Sequence, residues 1–397
     1  MNPIIIFFWI LLLTIIYTYI GYPIILFFIV KIKKLFFYEK EYKTEYYPSV
    51  TLFIAAYNEK DYIDNKVKNN LNLDYPKEKI KQIWVTDGSN DGTPELLKKY
   101  KDVKVYHEEK RNGKIGAINR GMQFIDTPIV IFTDANTLLN KDAVKQIIKL
   151  FQDQKTGCVA GEKRIHSKLA DTAINSGENI YWKFESTIKK WDAELYSAVG
   201  AAGELFAVRT KLFEKVEADT ILDDFIISLR IVKKGYRIKY APDAYAVETA
   251  SANINEELKR KIRISAGGIQ SVFRLKELLN PFKYGIFSWQ FLSHKVLRWL
   301  FVPFSFPLLF IFNLLIIIFY PNNSGFNVYH ISIIIQILLI IFIITGSILK
   351  NTKTKKKIIF IPYYIYIMNY SVWAGLYRFI KGKQSVNWER AKRGSNT

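Results

Sequence analysis

The stretch I-V-I-F-T-D-A-N-T, Ile129 to Thr137, decides how the rest of the chain reads. Four apolar, mostly β-branched residues predict a buried strand, which runs directly into the carboxylate of Asp134 and, two residues on, the amide of Asn136. In open α/β sheets ligands bind outside the carboxyl ends of the strands, so these oxygens suit a substrate or a metal-bound phosphate. Asp and Asn also favour turns and helix caps, and this stretch alone leaves both readings open.

Composition narrows the class. The chain has 397 residues, enough for about two to three domains. Half of it is hydrophobic, yet the formal charge is +21, a combination that suits a membrane protein with a basic cytoplasmic side. Binding to nucleic acid is the competing source of such charge. Against it, the basic residues are spread along the chain and several flank long apolar runs. A single cysteine, Cys158, excludes an internal disulfide and agrees with a reducing compartment. With only four histidines beside it, a structural zinc site is not expected.

Working outward, the apolar run Pro3 to Val30 is about the length that crosses a bilayer, and Lys31, Lys33 and Lys34 after it predict a cytoplasmic continuation. It lacks the small-residue cleavage site of a signal peptide. Between Pro48 and Pro281, short apolar runs alternate with charged helical patterns, the texture of an α/β domain with a mainly parallel sheet. Expected strands are Val50 to Ala55, Gln82 to Thr86, Val103 to His107 and Ile129 to Thr133, with helices at Asp61 to Leu71 and Pro94 to Tyr100. Beyond it, Phe282 to Lys295 reads as an interfacial helix. Leu297 to Tyr320 and Val328 to Leu349 are long enough to span, joined by the turn Pro321 to Asn327. The five lysines of Lys350 to Lys357 place that loop in the cytoplasm. Ile358 to Ile380 either spans as a fourth helix, leaving Arg390, Lys392 and Arg393 outside, or is re-entrant. The expected division is an N-terminal transmembrane helix (1–35), a cytosolic domain (36–281) and a C-terminal membrane region (282–397).

Four further clusters carry candidate chemistry. I-A-A-Y-N-E, Ile54 to Glu59, ends the first strand, and T-D-G-S-N-D-G-T, Thr86 to Thr93, ends the second with glycines that permit close backbone approach. Taken by itself, the latter reads first as a glycine-rich turn capping the following helix. R-N-G-K-I-G-A-I-N, Arg111 to Asn119, puts Lys114 at a helix start, where it either faces a ligand or is solvated. In T-I-L-D-D-F, Thr220 to Phe225, the adjacent Asp223 and Asp224 open a helix that Gly235 closes, and the dipole there favours ionised acids. They serve as caps, or one of them accepts a proton from a hydroxyl. Tyr181, Trp182 and Trp191 are either core packing or platforms for a sugar, and Gly200 to Gly203 suit close approach to a ligand.

In order and spacing, these clusters resemble the family 2 glycosyltransferases, the cellulose-synthase-like superfamily of membrane enzymes. The resemblance covers about residues 48 to 270. It implies a GT-A-like α/β fold joined to transmembrane helices. It also implies that Ala55, Tyr57 and Glu59 bind the uridine, that Asp87 contacts the base and that Lys114 lies near the nucleotide. Asp134 and Asn136 match a pair that holds a magnesium or manganese ion and the diphosphate, and Asp224, the second member of its acidic pair after Asp223, matches the catalytic base. The sequence departs from the family pattern at Ala56, usually proline, at Thr86, often aspartate, and at Asn136, usually aspartate. An amide oxygen still suits a hard cation. In R-K-I-R-I, Arg260 to Ile264, the segment matching the acceptor motif of processive synthases keeps Arg263 but has Arg260 for glutamine and Ile264 for tryptophan. Arg263 suits a diphosphate, and losing the aromatic platform argues against a processive polymerase.

The resemblance therefore implies an inverting, multi-pass enzyme of the cell membrane with a cytoplasmic catalytic domain. It would move a sugar from a nucleotide-sugar donor, expected to be a UDP-sugar, to a glycan or lipid-linked acceptor in polysaccharide biosynthesis. One alternative is a processive synthase that also translocates its polymer, for which few helices imply an oligomer or export partners. Another is a non-catalytic sugar-nucleotide-binding membrane component. Membrane lipid is an expected partner and nucleic acid is not.

Overall fold

The computed structural model describes residues 2–37, 42, 45–166, 173–249, 254–320, 327–349 and 357–383. The turn at 321–326, the loop at 350–356 and the tail with Arg390, Lys392 and Arg393 lie outside the described residues.

The four expected strands form β1 (Val50–Ala56), β2 (Ile80–Asp87), β3 (Lys104–Glu108) and β4 (Ile129–Thr133). They are joined by β5 (Leu138–Leu139), β6 (Thr156–His166), β7 (Leu205–Arg209) and β8 (Arg237–Thr249). Among the described residues these make one sheet in the order β3-β2-β1-β4-β7-β6-β8-β5. The pairs β1–β2, β1–β4, β2–β3 and β6–β8 are parallel, whereas β7 runs antiparallel to β4 and β6, and β5 antiparallel to β8. A mixed sheet thus begins where the regular strand-helix alternation of the sequence ends. Because the chain leaves β1 for β2 on one side and reaches β4 on the other, the carboxyl ends of β1 and β4 flank a switch point, the usual ligand crevice of such sheets.

Both faces of the central strands are covered, so their sequences are runs of apolar residues with little alternation. Phe53, Val85, Phe132 and Phe206 pack on one face. Leu52, Ile54, Trp84 and Ile131 pack on the other, under the helices Lys60–Leu71 and Ala143–Ile148. Gly121, near the end of the helix Gly113–Gly121, permits that helix to lie on the sheet: a Cβ there would stand 2.2 Å from Phe53 Cε2. The helix Asp223–Lys233 buries Phe225, Leu229 and Val232, the apolar stripe anticipated from their spacing.

Among the described residues three helices are long and apolar enough to cross a membrane: Pro3–Phe36, Ile286–Phe319 and Val328–Leu349. The expected interfacial helix is largely absorbed into the second of these. Gly285, at φ 54, separates a short turn of helix, Pro281–Tyr284, from one continuous helix that begins at Ile286. The final run forms the helix Lys357–Ile380, which is not among the three. It docks on the domain helix Ile254–Arg274, where Ser371 Oγ lies 3.2 Å from Ser265 Oγ and a Cβ on Gly375 would stand 2.8 Å from Ala266 N.

A buried polar network fastens the domain to the apolar helices. Asp192, on the helix Ala173–Leu195, accepts from Tyr22 and from Gln290 Nε2 at 3.0 Å, and its Oδ2 lies 2.6 Å from His294 Nδ1. Glu185, two turns earlier, takes His294 Nε2 at 3.1 Å, Arg298 Nη1 at 2.9 Å and Lys295. Asp192 is 0% and His294 1% exposed, so every bond lost here leaves a buried polar group without compensation. Asp192→Ala should therefore cost about 3 kcal/mol, visible as a lower unfolding midpoint of the detergent-solubilised protein. An unchanged midpoint would show that the network does not hold the junction.

Candidate active site

The loops after β1 and β2 are laced into one platform. Asn58 adopts φ 53, a left-handed conformation that Asn tolerates better than most residues. There its N–H donates to Ser89 Oγ at 3.1 Å, its Nδ2 to Asn90 Oδ1 at 3.0 Å, and its Oδ1 accepts from Asn90 N at 2.9 Å. Glu59 is buried, with its N–H on Thr93 Oγ1 at 3.0 Å, and Lys60 N donates to Asp91 Oδ2 at 3.1 Å. The glycine-rich stretch thus braces the Y-N-E turn as well as starting its own helix.

Asp87, at the end of β2, reaches the third cluster. Its Oδ2 accepts from Asn112 N at 2.9 Å and Gly113 N at 2.6 Å, and its Oδ1 lies 3.4 Å from Arg120 Nη1. This carboxylate aligns the start of the helix that carries Lys114. A narrow crevice between the loops is lined by Ala55, Tyr57, Asp87, Arg111 and Lys114. Inside it the Arg111 guanidinium stacks 3.7 Å from the centre of the Tyr57 ring. The sequence alone assigns Arg111 no part in this crevice.

Lys114 is the hub of the acidic end. Its Nζ lies 3.1 Å from Asp134 Oδ1 and 3.4 Å from Asp223 Oδ2, joining the strand end at β4 to the start of the helix Asp223–Lys233. Burial disfavours its charge, but Asp134, Asp223 and Asp224 outweigh burial and raise its pKa. Asp224 is held by Phe225 N at 2.8 Å, and a Cβ on Gly203 would stand 3.4 Å from Asp224 Oδ2. Burial first, and then repulsion from Asp223, push the Asp224 carboxyl up to about 7. The helix dipole had suggested ready ionisation at this terminus, but here desolvation and a like charge prevail. Asp134 is likewise raised, by burial and by Glu204 and Glu248, with Lys114 pulling the other way.

Oxygens suited to a hard cation flank Ala135. Asn136 Oδ1 is buried and has no hydrogen-bond partner among the described residues, as a metal ligand would be before its ion binds. Together with the Asp134 carboxylate it gives a donor set that fits magnesium or manganese. No group of three or more His, Cys, Asp or Glu residues is gathered as a metal site among the described residues, so a diphosphate would have to contribute ligands.

A cavity of about 1270 Å³ opens from this cluster. Lys114, Asp134, Asp223, Asp224, Trp182 and Arg263 are all among its lining residues. Lys163 bridges Glu204 and Glu248 on its wall and lies 5.4 Å from the Trp182 ring centre, a trio that the sequence reading missed. Those residues lie far apart in sequence and only the pairing of β6 with β8 brings two of them together. Arg260, Arg263 and Ile264 all line the cavity, and Arg260 also pairs with Glu257 at 2.9 Å. Of the three aromatics, Tyr181 and Trp182 line the cavity, while Trp191 packs 5.2 Å from the Phe27 ring in the first helix.

Residues 51–217 match the family described as glycosyl transferase family 2. This segment is similar to family 2 glycosyl transferase domains. It contains every site residue named above up to Glu204, while Asp223, Asp224 and Arg263 follow it. The chain is 31% identical over 238 residues to a poly-beta-1,6-N-acetyl-D-glucosamine synthase of Staphylococcus aureus, and 28% identical over 233 residues to that of Staphylococcus epidermidis. Each match covers 57% of this chain and 56% of the relative, so the chain spans little more than half the length of these relatives. Among solved structures, a mannosyltransferase from Pyrobaculum calidifontis in complex with GDP-Man and Mn2+ superposes with a TM-score of 0.71 at 20% identity, covering 94% of this chain and 99% of that one. The fold around this segment is accordingly GT-A-like, with a mixed, mostly parallel sheet.

The charge arrangement predicts its own titration. Asp223→Asn removes the like charge and should lower the Asp224 carboxyl from about 7, as followed by difference infrared spectroscopy of the carboxyl bands. A titration unmoved by that substitution would remove Asp223 as a cause.

Proposed function

We propose that the chain is a membrane-bound, inverting glycosyltransferase. Its donor is a nucleoside-diphosphate sugar, with a UDP-sugar expected, and its acceptor is a hydroxyl of a glycan or lipid-linked glycan in polysaccharide biosynthesis. The observation that carries this reading is the meeting of Lys114, Asp134, Asp223 and Asp224 beside one cavity at the sheet's switch point. The synthase names of its sequence relatives support the polysaccharide setting. The three helices able to cross a membrane among the described residues support placement there, with the catalytic domain in the cytoplasm where nucleotide sugars are made.

In the mechanism, the acceptor hydroxyl lies against Asp224, which takes its proton as the oxygen attacks the anomeric carbon. The bond from that carbon to the diphosphate oxygen breaks with its electron pair on the diphosphate, on the opposite face, so configuration inverts. A carboxyl raised to about 7 suits this task near neutral pH: a stronger base than an ordinary aspartate, still substantially ionised. Lys114 and Arg263 present positive charge to the departing diphosphate. Ala55, Tyr57, Glu59 and Asp87 form and brace the nucleoside crevice. Asp134 and Asn136 would hold the divalent ion, which when bound offsets further charge on the diphosphate.

A second reading, a processive synthase, is favoured by the relatives' names and opposed by Ile264 at the acceptor motif. Product length from purified protein separates them, with single additions expected for the transferase and long chains for the synthase.

The deciding assay is nucleotide release with manganese from a panel of UDP-sugars together with GDP-mannose. Asp224→Asn should lower transfer by at least about 100-fold while leaving UDP affinity within about twofold. Transfer at the wild-type rate would remove Asp224 from the mechanism, and no release with any donor would favour a non-catalytic binding role. In the wild type the rate should rise with pH through about 7 as Asp224 loses its proton. Asn136→Asp should lower the manganese concentration needed for half-maximal rate, and an unchanged titration would show that Asp134 acts without it.

A further inference from the structure

Lys66 lies in the helix Lys60–Leu71, which starts at the Y-N-E turn, and its side chain points inward beneath the sheet's carboxyl edge. It is 0% exposed and forms no ion pair at contact distance among the described residues. Its three oxygen neighbours are all neutral: Thr133 Oγ1 at 2.9 Å, the Thr137 carbonyl at 2.8 Å and Thr137 Oγ1 at 3.5 Å. Thr133 is the last residue of β4 and Thr137 follows Asn136, so one ammonium ties both ends of the loop that carries Asp134 and Asn136. Inside that clamp the Thr137 hydroxyl also donates to the Asp134 carbonyl at 3.0 Å and lies 3.2 Å from Thr133 Oγ1.

An ammonium buried without a contacting carboxylate is costly, and an apolar side chain would fill the same space at lower cost. Packing alone does not account for a lysine here. Burial pushes its pKa down to about 7 while the nearby Asp134 carboxylate acts to hold it up. The charge therefore lies behind the same loop whose front faces Lys114.

Resting on the metal-diphosphate reading above, we propose that Lys66 is a positioning residue. It holds Asp134 and Asn136 at the spacing a divalent ion requires, and it couples the nucleoside turn to the diphosphate loop through one helix.

The test is calorimetric binding of UDP to the full chain in detergent, with manganese and with a chelator, which reads affinity without turnover. In the wild type manganese should tighten UDP binding. Lys66→Met should lose at least tenfold of that manganese-dependent gain, with metal-free UDP affinity within twofold of wild type. Because Lys66→Met is liable to misfold, Thr133→Val and Thr133→Ser accompany it. Loss of the hydroxyl should reproduce part of the defect, and its return in serine should restore it. A full manganese-dependent gain in folded Lys66→Met, or a loss equal with and without manganese, would overturn the proposal. No manganese effect in the wild type would instead overturn the underlying metal reading, and this inference with it.

Discussion

The arrangement of the sheet's carboxyl edge depends on one ammonium group among three carboxylates. Lys114 comes from the helix after β3, Asp134 from the end of β4, and Asp223 and Asp224 from a helix about ninety residues further on. Bringing three acids together in a buried cleft is unfavourable unless a cation accompanies them. Lys114 supplies that cation, and Asp87, by binding the backbone at Asn112 and Gly113, fixes the helix start from which it projects. The neutralisation is incomplete, since Asp224 remains raised to about 7 and Asp134 above its ordinary value. In the proposed mechanism that residual strain equips Asp224 to act as a base near neutral pH.

A second set of buried charges sets where this edge lies relative to the apolar helices. Glu185 and Asp192 lie on one domain helix, and their partners Tyr22, Gln290, His294 and Arg298 lie on two of the helices able to cross a membrane. Hydrogen bonds of this kind are directional, so they fix the register of the domain on its anchor more sharply than apolar contact would. The cavity runs between the two sets, with Asp224 at one part of its wall and Arg298 and Trp299 at another.

Much of this was legible in the sequence. The strands β1 to β4 are buried on both faces and announce themselves as apolar runs, and the polar clusters at their ends mark the crevice. The residues to which the resemblance assigns base and metal roles, Asp224, Asp134 and Asn136, are brought by the fold to one edge. The missing parts have physical reasons. Lys163, Glu204 and Glu248 meet only through strand pairing across the mixed half of the sheet, and no spacing in sequence foretells it. Lys66 falls inside the expected helix Asp61 to Leu71, and periodicity does not register a lysine that points inward. Within the stretch read as an interfacial helix, His294 and Lys295 reach Asp192 and Glu185, long-range contacts that composition does not foretell.

The central claim is that donor chemistry takes place between the Asp134 loop and Asp224. A cryo-electron microscopy map of the detergent-solubilised protein with UDP and manganese tests it most directly. The account predicts the uracil in the crevice beside Tyr57 and the diphosphate between Lys114 and the loop of Asp134 and Asn136, with Asp224 facing the vacant sugar position. Nucleotide bound elsewhere, or a diphosphate out of reach of both Lys114 and Asp134, would contradict it.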